Sequence, residues 1–476
     1  MGFLRALWPV FVVAAMGGCG GSGGTSLDAV AFSIISPMAD SATNDVRPVI
    51  RWSTIDDYDR FVLRLYRDEA LTDLIESTEI TGATEAAPAS DLPDGGAVYA
   101  VVDVLDEDGE VLVTGPVHRF RVLLLPPDMP RFQLVRRDPL LSQPGYRLFN
   151  LSDVMPPTPA ERITFLILVN EEGSVVWWRK RGPGTFTDAR VLPNGHLLHI
   201  FQNPVEQTQR AFETTWDGQQ EFWSSSDTVK VHHEVGVGPG GNYLYLKYTH
   251  QTVGTDLWEG DGLEVVDPLT GALLWEWDIF DHVSTDDFDP EQILRTGRSG
   301  MGKDWTHCNA CVWDENRSMI WVSVRHLNRI LGVDYPSGQL RVTLGQGGIG
   351  GDGLVSFQHA PEVQEDGTLL VFDNGNLRDP PYSRVVHLRW DETLNTVTEL
   401  AEWRDTPDYY AAAVGDADRL PNGNILVVAG TIRRIFEVTP ANENVWEMNS
   451  DNTRFWVYRA EHVAAGEIPP GVLPFE

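Results

Sequence analysis

Cysteine is scarce, with three in 476 residues, at positions 19, 308 and 311. That excludes a small scaffold held together by disulfides. Basic residues are also short: 36 Lys and Arg stand against 69 Asp and Glu, for a net charge of −33. Nucleic acid is therefore excluded as a partner, because phosphate backbones are bound by a basic face. No run of eighteen apolar residues occurs, so no segment reads as a membrane-spanning helix. Long helical patterns are missing too, since 44 Gly and 30 Pro break the chain into short runs. What is present is 42% hydrophobic residues with 16 Trp, enough for a substantial core. The expected class is all-β.

Residues 1–18 read as an export signal. One charge, Arg5, precedes the apolar run Leu7–Met16, which has the size of a signal-peptide core. Met16-Gly17-Gly18-Cys19 followed by Gly20-Gly21-Ser22-Gly23-Gly24 resembles a bacterial lipobox and its tether. The resemblance implies that Cys19 is the lipidated first residue of an exported cell-envelope lipoprotein, with 19–28 as a flexible tether. The membrane is then met only through the lipid. An ordinary cleaved signal with a chance Cys19 is the alternative, and the Gly-rich tether favours the lipoprotein.

Residues 29–125 carry short alternating runs separated by turns, such as Val49–Trp52, Phe61–Tyr66 and Ala97–Val104. Roughly seven strands in about 95 residues match a fibronectin type III or immunoglobulin-like sandwich. Trp52 and Tyr99 resemble the core aromatics of the fibronectin type III pattern. Leu124–Pro130, with Pro126, Pro127 and Pro130, joins this region to the rest of the chain.

From 130 to 476 one pattern recurs. Its first half is a strand, a Gly turn and a second strand, with the turn at Gly195, Gly241, Gly367 and Gly423. A diverged copy over His307–Val324 turns at Asp314–Arg317. Its second half is a hairpin ending in Trp or a substitute: Trp177-Trp178, Trp223, Trp275 and Trp277, Leu344, Trp403 and Trp446. Five first halves and six second halves, repeating at roughly 40–60 residues, predict a six-bladed β-propeller. The run Thr453–Tyr458 can complete the first blade and close the ring.

Aligning the first halves places Asp188, His233, His307, His359 and Asp416 at equivalent positions, seven or eight residues before the turn Gly where one exists. Inner strands line a propeller's axis, so these five residues are expected at one mouth. Hairpin pairing then puts Arg325 beside His307, Ser323 beside Asn309, Asn374 beside His359 and Tyr248 beside His233. His232 points the other way and supports the site from behind. Imidazoles, a guanidinium and carboxamides in so acidic a chain suit an oxyanion. A scaffold has no use for His in three blades. His196, His199, His250, His282, His326 and His387 read as ordinary polar residues. A metal is the weaker expectation, because no close ligand pair is evident and Arg325 repels a cation.

Asp304-Trp305-Thr306-His307-Cys308-Asn309, Ser323-Val324-Arg325-His326, Phe357-Gln358-His359 and Phe372-Asp373-Asn374-Gly375, after His232-His233-Glu234, resemble the bacterial arylsulfate sulfotransferases. The resemblance covers most of 130–476 and implies a six-bladed propeller that does not use the nucleotide sulfate donor. It implies His359 as the nucleophile that becomes a sulfo-histidine, captured by a phenolic acceptor. His233, His307, Asn309 and Arg325 would hold the sulfuryl oxygens, with Asn374 at the site. His307 would hand the proton to the leaving phenolate. Donor and acceptor are small molecules, an aryl sulfate and a phenol, and no cofactor or metal is implied. Cys308 and Cys311 depart from the family pattern, and a local disulfide between them needs a bulge in the strand. The competing readings are a non-enzymatic propeller binding a protein or carbohydrate, and a metal-dependent hydrolase of the lactonase kind.

Overall fold

The structure is a computed structural model that describes residues 32–473, apart from 54–57, 291, 294–296 and 298. The expected signal, tether and Cys19 lie outside the described residues. Every regular element among the described residues is a β-strand or a single 3-10 turn, in eight sheets. The chain is all-β.

Two sheets formed before residue 123 share one core. Ile34–Ser36, Ile50–Trp52 and Glu85–Ala86 make the smaller sheet. Ala42–Thr43, His118–Val122, Ala97–Leu105, Arg60–Tyr66 and Leu74–Thr81 make the larger one, with Val111–Thr114 beside Ala97–Leu105. Trp52 packs edge-on against Phe61 at 5.5 Å in that core. Tyr99 is not part of it, contrary to the sequence expectation. Side chains alternate along a strand, so Val98, Ala100 and Val102 face inward and Tyr99 faces the half-exposed side. Phe120 is the core aromatic from the late strands.

The other six sheets are antiparallel meanders in chain order. The first runs Thr185–Val191, Leu197–Asn203, Thr208–Thr214, Glu221–Ser224, and the second Val231–Val237, Tyr243–Val253, Asp256–Val266, Leu273–Asp278. The third runs Cys308–Asp314, Met319–Val324, Arg329–Asp334, Leu340–Gly345. The fourth runs His359–Val363, Leu369–Asp373, Arg384–Asp391, Thr396–Trp403. The fifth runs Asp416–Arg419, Ile425–Ala429, Arg434–Val438, Asn444–Asn449, with Gln133–Arg137 added outside. In the sixth, the last strand, Phe455–Val463, pairs with Tyr146–Asp153, followed by Thr164–Val169 and Val175–Arg181. Each sheet's first strand touches the next, and Phe455–Val463 touches both Asp416–Arg419 and Thr185–Val191.

The recurring Trp latches one sheet to its neighbour. Trp277 donates from Nε1 to Gly338 O at 3.0 Å, Trp403 to Thr439 O at 3.1 Å and Trp446 to Glu171 O at 2.7 Å. In each case the acceptor lies in the outer hairpin turn of the following sheet. A buried indole needs a partner for its N–H, and this one is supplied at a fixed spacing. The N-terminal sheets attach through the outer strand of the sixth sheet. Asn44 accepts from Val175 N–H at 2.6 Å and donates to Val175 O at 2.9 Å, covering an otherwise open edge.

Candidate functional site

The site forms where three consecutive inner strands begin. The register slips between His232 and Val235, between Cys308 and Ala310, and between His359 and Glu362. His233, His307 and Ala360 carry left-handed backbone there, with φ of +58, +48 and +46 degrees. Such residues cost on the order of 1–3 kcal/mol each and persist where surrounding packing dictates them. The bulges tip side chains out of the strand direction and toward one another.

His359 is 4% exposed. Its Nδ1 lies 2.6 Å from Asn374 Oδ1 and 3.1 Å from Phe357 O. Asn374 cannot be turned round, because its Nδ2 donates to Ala411 O at 2.7 Å and Val414 O at 3.0 Å. Both neighbours of Nδ1 are therefore acceptors, so Nδ1 carries the hydrogen and Nε2 the lone pair. Burial, with the Arg325 guanidinium nearby, pushes the imidazole's pKa down to about 3. His359 is a neutral base with its lone pair pinned on Nε2.

The segment before it is tied to the third sheet. Gln358 Nε2 donates to Ser323 Oγ, Val324 O and Arg329 O at 3.1, 3.3 and 2.9 Å. Asn309 Nδ2 and Ser323 Oγ both donate to Gln358 O, at 2.8 and 3.2 Å. Arg325 is buried with its guanidinium over the Phe357 ring at 4.5 Å. His307 lies 5.2 Å from His233 and 4.6 Å from His326 between ring centroids. Its Nδ1 is held by Asp304 Oδ2 at 2.6 Å. His232 reaches His233 with an Nδ1–Nδ1 distance of 2.7 Å and sits 3.2 Å from Asp261 Oδ1 through Nε2.

Several expectations need correction. Ser323 pairs with Ala310 rather than Asn309, because Asn309 is the bulged residue; the two meet instead at Gln358 O. Tyr248 stacks on His232 at 3.9 Å, since the bulge after His232 shifts the pairing. Cys308 and Cys311 are free, buried thiols and form no disulfide, and burial pushes both thiols up, away from the thiolate. Asp188 and Asp416 do not join the histidines. They line a separate cavity of about 440 Å³ with Arg190, Glu234 and Arg459. Asp188 is the fourth residue of its strand, about 10 Å along from the start. The expectation that no close metal-ligand set exists also fails: Asp304, His307 and His326 bring ligand atoms within 4.8 Å of one another.

Three contributors were missed. Asp304 was visible as an acid three residues before His307. His326 had no signal beyond adjacency to Arg325. Arg459 donates to Asn309 O at 3.0 Å and pairs with Glu234, supporting the floor of the site from the chain's last strand. Extending the Thr453–Tyr458 run by one residue would have found it.

The Arylsulfotransferase (ASST) family profile matches residues 147–459, well over half of the chain. This chain belongs to the arylsulfotransferase family. The match contains His233, His307, Asn309, Arg325, His359 and Asn374 as well as Arg459, and leaves out the two N-terminal sheets. No curated protein matches the sequence. Among solved structures, a protein of unknown function from Bacteroides caccae is 13% identical over 67% of this chain and 98% of its own, with a TM-score of 0.44. Hydrazine synthase from Kuenenia stuttgartiensis is 12% identical over 69% of this chain and 48% of its own, with a TM-score of 0.39. Dihydro-heme d1 dehydrogenase NirN is 13% identical over 74% of each chain, with a TM-score of 0.29. The arylsulfotransferase assignment rests on the family match.

Proposed function

We propose that this arylsulfotransferase moves a sulfuryl group from an aryl sulfate to a phenol through a sulfo-histidine at His359, without a nucleotide donor. Family membership supports aryl sulfotransferase activity in general. The observation that carries the finer reading is the His359 tautomer, with Nδ1 committed to two acceptors and Nε2 left to attack. Nε2 bonds to sulfur as the sulfur–aryl oxygen bond breaks, and the electron pair leaves on the phenolate. Positive charge appears on the ring and strengthens the bond from Nδ1–H to Asn374. Arg325, His233 and Asn309 meet the sulfuryl oxygens, where preorganised donors contribute most.

His307 handles the proton. Asp304 holds its Nδ1, which leaves Nε2 to protonate the departing phenolate. In the second half the acceptor phenol gives its proton to that nitrogen, attacks sulfur and frees His359. Asp304 stabilises the imidazolium that His307 is before it gives up the proton and again after it recovers one, as a carboxylate does for a paired histidine. The six meanders whose first strands touch in a ring support a six-bladed propeller, and the two sheets around Trp52 and Phe61 support a sandwich ahead of it. Export and lipidation at Cys19 complete the reading.

Intact-protein mass spectrometry after brief exposure to a chromogenic aryl sulfate tests it. Wild type should gain one sulfuryl group and lose it on addition of phenol. His359→Asn should gain none; an adduct in that variant, or one mapped elsewhere, would exclude His359 as nucleophile.

A further inference from the structure

Behind the mouth lies the buried ring of His326, which bonds toward the Asp304 backbone but leaves one nitrogen over. His326 is 2% exposed, and its Nδ1 has no hydrogen-bond partner among the described residues. It is aimed at Asp304, whose Oδ1 lies 3.7 Å away, too long for a hydrogen bond. The other oxygen of Asp304 holds Nδ1 of His307. An orphaned atom facing a carboxylate and a second imidazole asks for a further occupant.

We propose that Asp304, His307 and His326 form a binding site for a divalent ion of the Zn²⁺ class. Two imidazole nitrogens and one carboxylate oxygen are a donor set such ions take, with a fourth position left for water. Bonds of about 2.0–2.2 Å in a tetrahedron need donors about 3.3–3.6 Å apart. His326 Nδ1 lies 3.7 Å from Asp304 Oδ1 and His307 Nδ1 lies 2.6 Å from Oδ2, and one ligand atom from each of the three residues already falls within 4.8 Å of the others, so a small turn of the carboxylate brings a single oxygen toward both nitrogens. The two imidazoles are held in place. The backbone N–H of His326 donates to Thr306 O at 3.1 Å, which ties the turn carrying one to the loop carrying the other. Asp304 supplies the negative charge at the site, with Glu259 near it, and the nearby Arg325 guanidinium opposes it.

The consequence rests on the sulfotransferase reading. An ion on Nδ1 of His307 moves that nitrogen's proton to Nε2, and the ring then cannot accept a second one. It neither protonates a leaving phenolate nor takes the proton of an acceptor phenol. Bound metal and sulfuryl transfer exclude each other, and the ion is an inhibitor.

Calorimetric titration of chelator-stripped full-length protein with Zn²⁺ alone tests the site. One ion per chain is expected. Asp304→Asn and His326→Gln should each weaken binding by at least about tenfold, since losing a ligand costs no less than losing its outer partner. Co²⁺ on the wild type needs no variant: it should give the intense visible bands of a four- or five-coordinate ion without a thiolate band. No binding at micromolar Zn²⁺, unchanged affinity in both variants, or a thiolate band would overturn the site. For the consequence, saturating Zn²⁺ should cut the aryl sulfate adduct at least tenfold, with recovery on chelation. An adduct that forms at full rate in Zn²⁺-loaded protein would overturn the inhibitory role. If wild type forms no adduct even without metal, the sulfotransferase reading fails and the titration still decides the site.

Discussion

Replacing Asn374 by Ala isolates what pins the nucleophile. The substitution removes the 2.6 Å acceptor from His359 Nδ1 and leaves Phe357 O at 3.1 Å as the remaining one. A hydrogen bond to a group that becomes charged contributes about 1.5–3 kcal/mol. His359 acquires its positive charge only as sulfur is captured, so the loss falls mainly on that step. At about 1.36 kcal/mol per tenfold, sulfo-enzyme formation should slow by about 10- to 150-fold. The same substitution strips Val414 O of its side-chain donor and leaves Ala411 O only the 3.4 Å bond from Ser383 Oγ, and leaving a buried carbonyl unpaired costs roughly 1–3 kcal/mol of stability. Rapid-quench mass spectrometry measures the first effect and urea unfolding the second. Asn374→Ala protein that unfolds earlier yet forms the adduct at the wild-type rate would refute the tautomer argument, because Asn374 would then be structural only.

Asp304→Asn should leave transfer from an aryl sulfate with an acidic phenol nearly intact but slow a poor leaving group by about 10²-fold or more, read from rates across a series of phenols; a uniform loss would contradict proton handling by His307. Arg325→Lys keeps the charge and loses the fork, so it should still label at His359 but on the order of a hundredfold more slowly in a single-turnover assay. His359 titrates near 3 in the fold and near 6.5 when unfolded, so the unfolded state takes up the proton first and stability falls as pH drops from about 6.5 to 3. That slope, about 1.4 kcal/mol per pH unit, should be absent in His359→Asn by urea unfolding at pH 7, 5.5 and 4.5; comparing the two proteins cancels Asp416 and Glu362, which burial raises to about 7 and which act in the opposite sense. Cys19→Ala should remain folded but appear in the soluble fraction without fatty-acid label; equal labelling of mutant and wild type would refute the anchor.

The repeat was readable because its causes are local. A Gly turn between short apolar runs and a Trp at a fixed distance each act within a few residues or on the adjacent sheet. Hairpin pairing from the turn outward put Asn374 within side-chain reach of His359, 15 residues away, although the bulge makes Phe372 the register partner of His359. It failed for Tyr248 and Ser323, where one extra residue in the strand changes every later neighbour. Nothing in His233 or His307 as letters announces a left-handed backbone, which usually signals Gly.

By itself, then, the sequence determined the all-β class, the repeated strand–turn–strand unit and the His, Arg and Asn residues available for chemistry, because strand alternation and turn preference are properties of short segments. The packing of sheet against sheet set which of the five aligned anchors meet. It separated Asp188 and Asp416 from the histidines, set Arg459 under Asn309 from 150 residues away, and turned His326 toward Asp304. Those outcomes depend on bulges and on contacts between sheets, where a shift of one residue changes depth by about 3.3 Å, more than a hydrogen bond tolerates.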